Sequence, residues 1–553
     1  MLYIRKAFLF LFVFTSISVF AQKDKDKISG GQVDVEATYK ATLLQSEKIK
    51  TDLSLPVLDT SSKVQNYELS SRNIKVDYLP PKLRPIAMGA EKREVGNLKN
   101  GYIKAGYGVP SAPFVDASYA FNKDKLQAIA AFNHYSIRSK NKELMRYGNT
   151  GGNISGNYYI TSKYAVNANM GYNQETPRYY ALNDNPSGKI TTQQLKTFTF
   201  GTSIFNTANT EHNFTYGASL NLYRLGDNFA SHEFGTKLDG KVTKWFADKH
   251  PLAILVKGDF TSFSALGTIG NERLNNLFIQ PSFTFHGKAF SVQAGANLAS
   301  NNDEWTPFPM LELSVNVLGE RLAAFAGWKG DFQKNNFKSL TDYNPFLNSQ
   351  ISTFLPSNQK LSNSSFYDYF GGVKGHSGKL DYNMQAGYKP VTNLALFQNN
   401  IAAEDTLTFS SIYTDVNLTY FKGAITVEMA KGLEFTATFS QNIFSLKDSL
   451  IAKPWGLPST DFSAMLKYLT LENKLGLKGQ LFFQNGIPYQ DAKTKNAEKL
   501  GTLLDISIGS EYNINDTFSL WLDVNNVLNN KRQRWYRYPS FGINVLGGLK
   551  VKF

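Results

Sequence analysis

The chain has no cysteine, so neither a disulfide framework nor a thiolate metal site can be built from it. Beyond its first 21 positions it has no run of about 18 apolar residues, which excludes a helical membrane span there. Histidine is scarce. His134, His212, His232, His250, His286 and His376 share no metal-ligand spacing and read as surface or turn residues. His134 alone falls on a stretch with the polar strand character that a hydrolytic site would use. There is no G-x-S-x-G, no phosphate-binding loop and no dinucleotide fingerprint between a strand and a helix. Gly152-Asn-Ile-Ser-Gly156 has the wrong spacing for a nucleophile elbow. Carboxylates are spread over nearly every segment, so no catalytic pair stands out. The expectation is a protein that is not an enzyme, with no catalytic residue, no metal ligand, no cofactor and a ligand-binding set that the sequence leaves unknown.

A compact basic patch is also missing. The net charge is +14, from 59 basic and 45 acidic residues, but Lys and Arg are dispersed over turns and loops, which argues against nucleic acid as a partner. Anionic lipid headgroups are the simpler counter-surface. The expected partners are outer-membrane lipid and lipopolysaccharide, together with another envelope protein reached through residues 22–99 or the long loops.

What is present begins with a targeting segment. Arg5 and Lys6 form a positive start, Ala7 to Val19 an apolar run, and Val19-Phe20-Ala21 a small-residue cleavage pattern. Residues 1–21 therefore read as a signal peptide and Gln22 as the mature start. Residues 22–99 carry a charge run (Lys23 to Lys27), Gly30-Gly31 and the cluster Leu79-Pro80-Pro81-Lys82-Leu83-Arg84-Pro85. Proline cannot donate to a sheet ladder, so this stretch reads as a periplasmic or lumen-lying extension.

From about residue 100 to Phe553 the pattern is strand after strand. Tyr164, Val166, Ala168, Met170 and Tyr172 alternate with Ala165, Asn167, Asn169, Gly171 and Asn173. Phe290 to Leu298, Leu433 to Ser440, Leu504 to Gly509 and Phe518 to Asn525 repeat the period of two, with Trp521 breaking it. Short polar turns (for example Asn122–Lys125, Ser377–Lys379, Lys431–Gly432) alternate with long links at Ser139–Gly152, Gln174–Thr192, Ser264–Asn275, Lys334–Ser362, Pro390–Thr406, Leu446–Ser459 and Asn526–Pro539. Mean hydropathy is −0.30, as expected when one face of each strand meets lipid and the other a polar lumen. The reading is an all-β transmembrane antiparallel β-barrel of about 22 strands (range 18–24), occupying 100–553 and placed in the cell outer membrane. Tyr179, Tyr180, Trp305, Tyr343, Phe346, Trp455, Trp535 and Tyr536 in the long links read first as the interfacial aromatic girdle, and second as a stacking surface for a glycan, peptide or protein.

The chain ends in Phe541-Gly-Ile-Asn-Val-Leu-Gly-Gly-Leu-Lys-Val-Lys-Phe553, an alternating strand with a terminal aromatic. It resembles the C-terminal signal by which insertion machinery recognises outer-membrane barrels. Upstream, Asn526-Val527-Leu528-Asn529 and Trp535-Tyr-Arg-Tyr-Pro539 resemble the last hairpin of TonB-dependent receptors. The resemblance implies a receptor-type barrel that takes up a solute across the outer membrane. The sequence departs from that family in residues 22–99, which show neither a plug-like pattern nor a TonB box, so energy-coupled gating is not carried over. A structural or accessory subunit of a secretion or barrel-insertion assembly is the alternative.

Overall fold

The computed structural model describes residues 99–139, 145–180, 192–210, 212–265, 271–347, 360–399 and 408–553. The signal peptide and the extension, through residue 98, lie outside the described residues. The described chain forms one 22-stranded sheet in which every pairing is antiparallel and each strand pairs with the next along the barrel. The sheet closes where Gly101–Val109 pairs with Asn544–Lys552, in register from Tyr102↔Lys552 to Val109↔Val545. Closure is a requirement of the solvent: in hydrocarbon each unpaired backbone N–H or C=O costs several kcal/mol, and a ring has no edge. Because the number of strands is even, both barrel-chain ends lie at the same rim, the one carrying the short turns. Two of those turns, at Gly378 and Gly432, use positive φ (62° and 76°), which glycine adopts without penalty.

The alternation sorts side chains as the sequence implies. The rows that point outward hold exposed Ile154, Met170, Phe200, Leu238, Ile254, Leu311, Leu522 and Leu549, the apolar band that a transmembrane barrel turns to lipid. The barrel's place is the outer membrane. The inward rows are polar and bonded across strands: Asn133 donates to Asn149 (3.1 Å) and Asn167 to Asn157 (2.8 Å). Trp521, which breaks the pattern of its strand, points inward and is buried. Lys104 Nζ sits 4.1 Å from its ring centroid and Phe114 packs edge-on at 5.2 Å. Beside it, Lys104 faces Asp523 (3.7 Å) and Lys550 faces Glu511 (2.9 Å), a buried charge network across the strands that close the ring.

Three sequence boundaries are corrected. The links expected at Ser139–Gly152 and Pro390–Thr406 are shorter, because strands Arg146–Thr161 and Leu380–Asn399 run further up. A tilted strand needs only about 9–11 residues to cross the bilayer, so the extra length stands above it, where both faces are wet and alternation fades. Phe541 precedes the final strand, which begins at Asn544. The link at residues 486–502, which carries its own small hairpin (Pro488–Gln490 with Ala497–Lys499), has no counterpart among the expected long links.

Candidate functional site

The long-link rim is covered by its own loops. Strand Ala323–Asn335 runs into a short helix, α1 (Phe337–Tyr343), whose N-cap Asn336 accepts from Ser339 N. The first turn of any helix leaves backbone N–H groups without partners. Here two of them, Phe337 N and Lys338 N, donate to the Glu233 carboxylate at 2.7 and 3.1 Å. Glu233 belongs to the wall strand His232–Phe246, is 1% exposed, and also accepts from Tyr223 Oη at 2.8 Å. Asn336 Nδ2 donates to the same Tyr223 oxygen at 2.7 Å. Phe337 lies 4.9 Å from Phe263 of the neighbouring strand. The loop is thus tied to the wall by a carboxylate, a phenol and an aromatic contact.

The rest of the cap condenses on α1. Leu340, Phe346 and Leu347 join Tyr179, Tyr180, Phe397, Phe409, Trp535, Tyr538 and Phe541 in one buried cluster. Phe346 stacks on Tyr538 at 3.7 Å, and Tyr180 Oη donates to Pro539 O at 2.9 Å. The left-handed Asn526 and Asn529 (φ 49° and 52°) end strand Phe518–Asn525 and turn the last loop. Asn526 Nδ2 donates to Asn530 O and Phe541 O, both at 2.8 Å.

At the centre is Arg534, 1% exposed. Its guanidinium lies 4.2 Å from the Trp535 ring, donates to Gly456 O (2.9 Å) and Tyr343 Oη (2.8 Å), and leaves Nε without a hydrogen-bond partner. Burial pushes the Tyr343 phenol above its ordinary value, and the Arg534 charge opposes that rise. Burial likewise raises Tyr538 and Tyr179.

The loop aromatics therefore behave differently from the girdle expected of them. Tyr179, Tyr180, Phe346, Trp455 and Trp535 are buried, Tyr343 packs against the same cluster, and Tyr536 stacks on Tyr489 at 4.3 Å. They form the apolar interior of the cap, and Trp305, 52% exposed on an outward row, is the member that stands where a girdle residue would. Loops that turn inward need a core of their own, and the aromatics supply it. His134 faces outward beside Thr150 (Nδ1 to Oγ1 2.8 Å). His250 stacks on Phe285 at the short-turn rim, and His376 meets Asp381 there. Among the described residues, no histidine is bonded to both a serine and a carboxylate. Arg534 and Glu233 were missed by sequence reasoning. Arg534 stands inside the aromatic Trp535-Tyr-Arg-Tyr stretch, which is a signal; Glu233 is one of many strand carboxylates and carries none.

No protein-family model matches the chain, and no curated protein matches its sequence. Solved structures do match. The iron transporter FrpB of Neisseria meningitidis superposes with TM-score 0.64 at 10% identity, over 83% of this chain and 82% of that one. The pyoverdine outer-membrane receptor FpvA of Pseudomonas aeruginosa gives 0.61 at 13% identity, over 83% and 79%. The alcaligin outer-membrane receptor FauA of Bordetella pertussis gives 0.54 at 11%, over 82% and 75%. The fold is that of the TonB-dependent receptor barrels.

Proposed function

We propose that this barrel takes up a solute across the outer membrane and that the loop cap is the gate that receives it. The carrying observation is the wall-anchored cap. A lumen bounded by 22 strands is wide enough to leak unless something fills it, and the described loops are ordered across its mouth on a shared core. That an iron transporter and two outer-membrane receptors share the barrel supports uptake as the general role; their cargoes are properties of those proteins. The accessory-subunit alternative draws no support from these structures. Residues 22–99 are the segment we assign to an envelope partner, and lipopolysaccharide is the expected neighbour of the outer leaflet.

The test is conductance in planar bilayers together with liposome swelling, for the whole chain, for a form lacking residues 22–99, and for Glu233→Ala. A small or absent conductance in the whole chain that grows in either variant is expected. A barrel that neither conducts nor admits any solute in all three forms overturns uptake.

A further inference from the structure

We propose that the lumen wall between strands Ala323–Asn335 and Phe409–Ala430 is an oxyanion-binding surface, taking phosphate- or carboxylate-bearing solutes. Four consecutive strands each contribute one lysine to it: Lys329, Lys374, Lys389 and Lys422. The register sets them side by side. Lys329 is opposite Asp368, Lys374 is opposite Asn383, and Lys422 is opposite Gln385, whose Nε2 donates to Tyr420 Oη at 2.7 Å. Lys374 lies nearest the short-turn rim, so the ammonium groups descend the wall.

Each lysine is held by an aromatic face, an arrangement that fixes a cation without neutralising it. Lys329 lies 4.9 Å from the Phe370 centroid, Lys374 5.4 Å from Phe325, Lys389 4.5 Å from Phe366 and Lys422 5.1 Å from Tyr420. One carboxylate forms an ion pair within the patch, and it is committed: Asp368 pairs with Lys389 at 3.5 Å and accepts from Tyr420 Oη at 2.8 Å. A second carboxylate, Asp331, stands two positions from Lys329 on the same strand and within the field of that lysine, and the remaining carboxylates of these four strands are engaged elsewhere. Asp331 accepts from Asn297, Asp381 meets His376, Asp415 accepts from Asn393 N and Glu428 meets Lys379.

Several other lysines of the described wall form ion pairs with carboxylates. Lys104 meets Asp523, Lys550 meets Glu511, Lys467 meets Glu434, and Lys237 and Lys334 share Asp259. Cations that outnumber the carboxylates on a low-dielectric wall raise the local concentration of anions and repel one another until an anion joins them. As a statement about cargo the proposal rests on the uptake reading; as a statement about binding it is tested by itself.

The experiment is calorimetric titration of the whole chain in detergent micelles, at low ionic strength, with inorganic phosphate and with citrate. Saturable, salt-weakened binding is expected, reduced by about tenfold or more in Lys389→Gln/Lys422→Gln and unchanged in Lys237→Gln, whose partner Asp259 keeps Lys334. Folding of each variant is checked by faster migration of unboiled protein on a gel. Should the double variant misfold, Lys374→Gln carries the same expectation with a smaller loss. No saturable binding of either anion, or equal affinity in wild type and patch variant, overturns the site. Liposome swelling in citrate and in arabinose separates the two claims. Binding without swelling in either solute counts against uptake and leaves the site standing. Swelling in arabinose without anion binding counts against the site and leaves uptake standing.

Discussion

Glu233→Ala releases the helix that anchors the cap. In the folded chain the Glu233 carboxylate accepts from Phe337 N, Lys338 N and Tyr223 Oη, within 2.7–3.1 Å. Removing it orphans three donors in a dry site, and a buried unsatisfied donor costs roughly 1–3 kcal/mol. Tyr223 keeps the bond from Asn336, and the two helix amides regain water once the segment lifts. The expected loss is therefore about 3–5 kcal/mol from the local opening free energy of α1, at the low end of three such penalties. Since 1.4 kcal/mol is tenfold in an equilibrium constant, amide exchange through residues 337–347 should accelerate by at least about a hundredfold. Hydrogen-exchange mass spectrometry reads this directly, with wall strands such as Leu433–Leu446 as the internal standard that should not move. Glu233→Gln, which keeps one acceptor oxygen, should fall between. Identical exchange of this segment in wild type and Glu233→Ala would refute the claim that the carboxylate holds the cap.

The barrel was legible in the sequence because two solvents imprint alternate residues. Tyr164 to Asn173 and Phe518 to Asn525 could only be two-faced strands, and the short turns set the even number. The lone misfit, Trp521, was visible as a misfit; its reason, Lys104 and Phe114 across the closing seam, was not, since those residues are some 400 positions away in the chain. The cap was hidden for a related cause. Its core is assembled from loops on separate hairpins, Tyr180 with Pro539 and Phe346 with Tyr538, and loop aromatics have no period that tells an inward turn from an interfacial belt. The lysine patch was hidden because its members lie one per strand, so adjacency follows from register alone. Where both faces of a strand are wet, as at Arg146–Thr150, the alternation that defines a strand is lost and the sequence reads as loop.

Three further outcomes follow from particular contacts. A Cβ at Gly106 would lie 2.4 Å from both Gly547 O and the Trp521 ring, so Gly106→Ala should overpack the closing seam by about 1–3 kcal/mol and lower the fraction of fast-migrating barrel on unboiled gels. Leu311 points to lipid and its neighbour Glu312 to the lumen; Leu311→Arg should cost about 2–4 kcal/mol in urea unfolding from vesicles, and Glu312→Arg markedly less, with equal costs refuting the register. The last concerns the small hairpin beyond the rim. The Asp491 carboxylate accepts from Thr494 N (2.8 Å), Lys493 N (2.9 Å) and Tyr536 Oη (3.2 Å). The backbone bond from Thr494, foremost, holds the carboxyl below its ordinary value of 3.8. A carboxyl depressed in the folded loop binds its proton more weakly there than in the open loop, so its contribution is complete above pH 3.8 and is lost as pH falls through the depressed value. Amide resonances of Lys493 and Thr494 should therefore hold steady from neutral pH to about 4 and shift only below it, whereas in Asp491→Asn they should show no such transition. A transition above pH 3.8 in the unsubstituted chain would mean that burial, and not the donated amides, sets this group, and the account of the hairpin would have to be reversed.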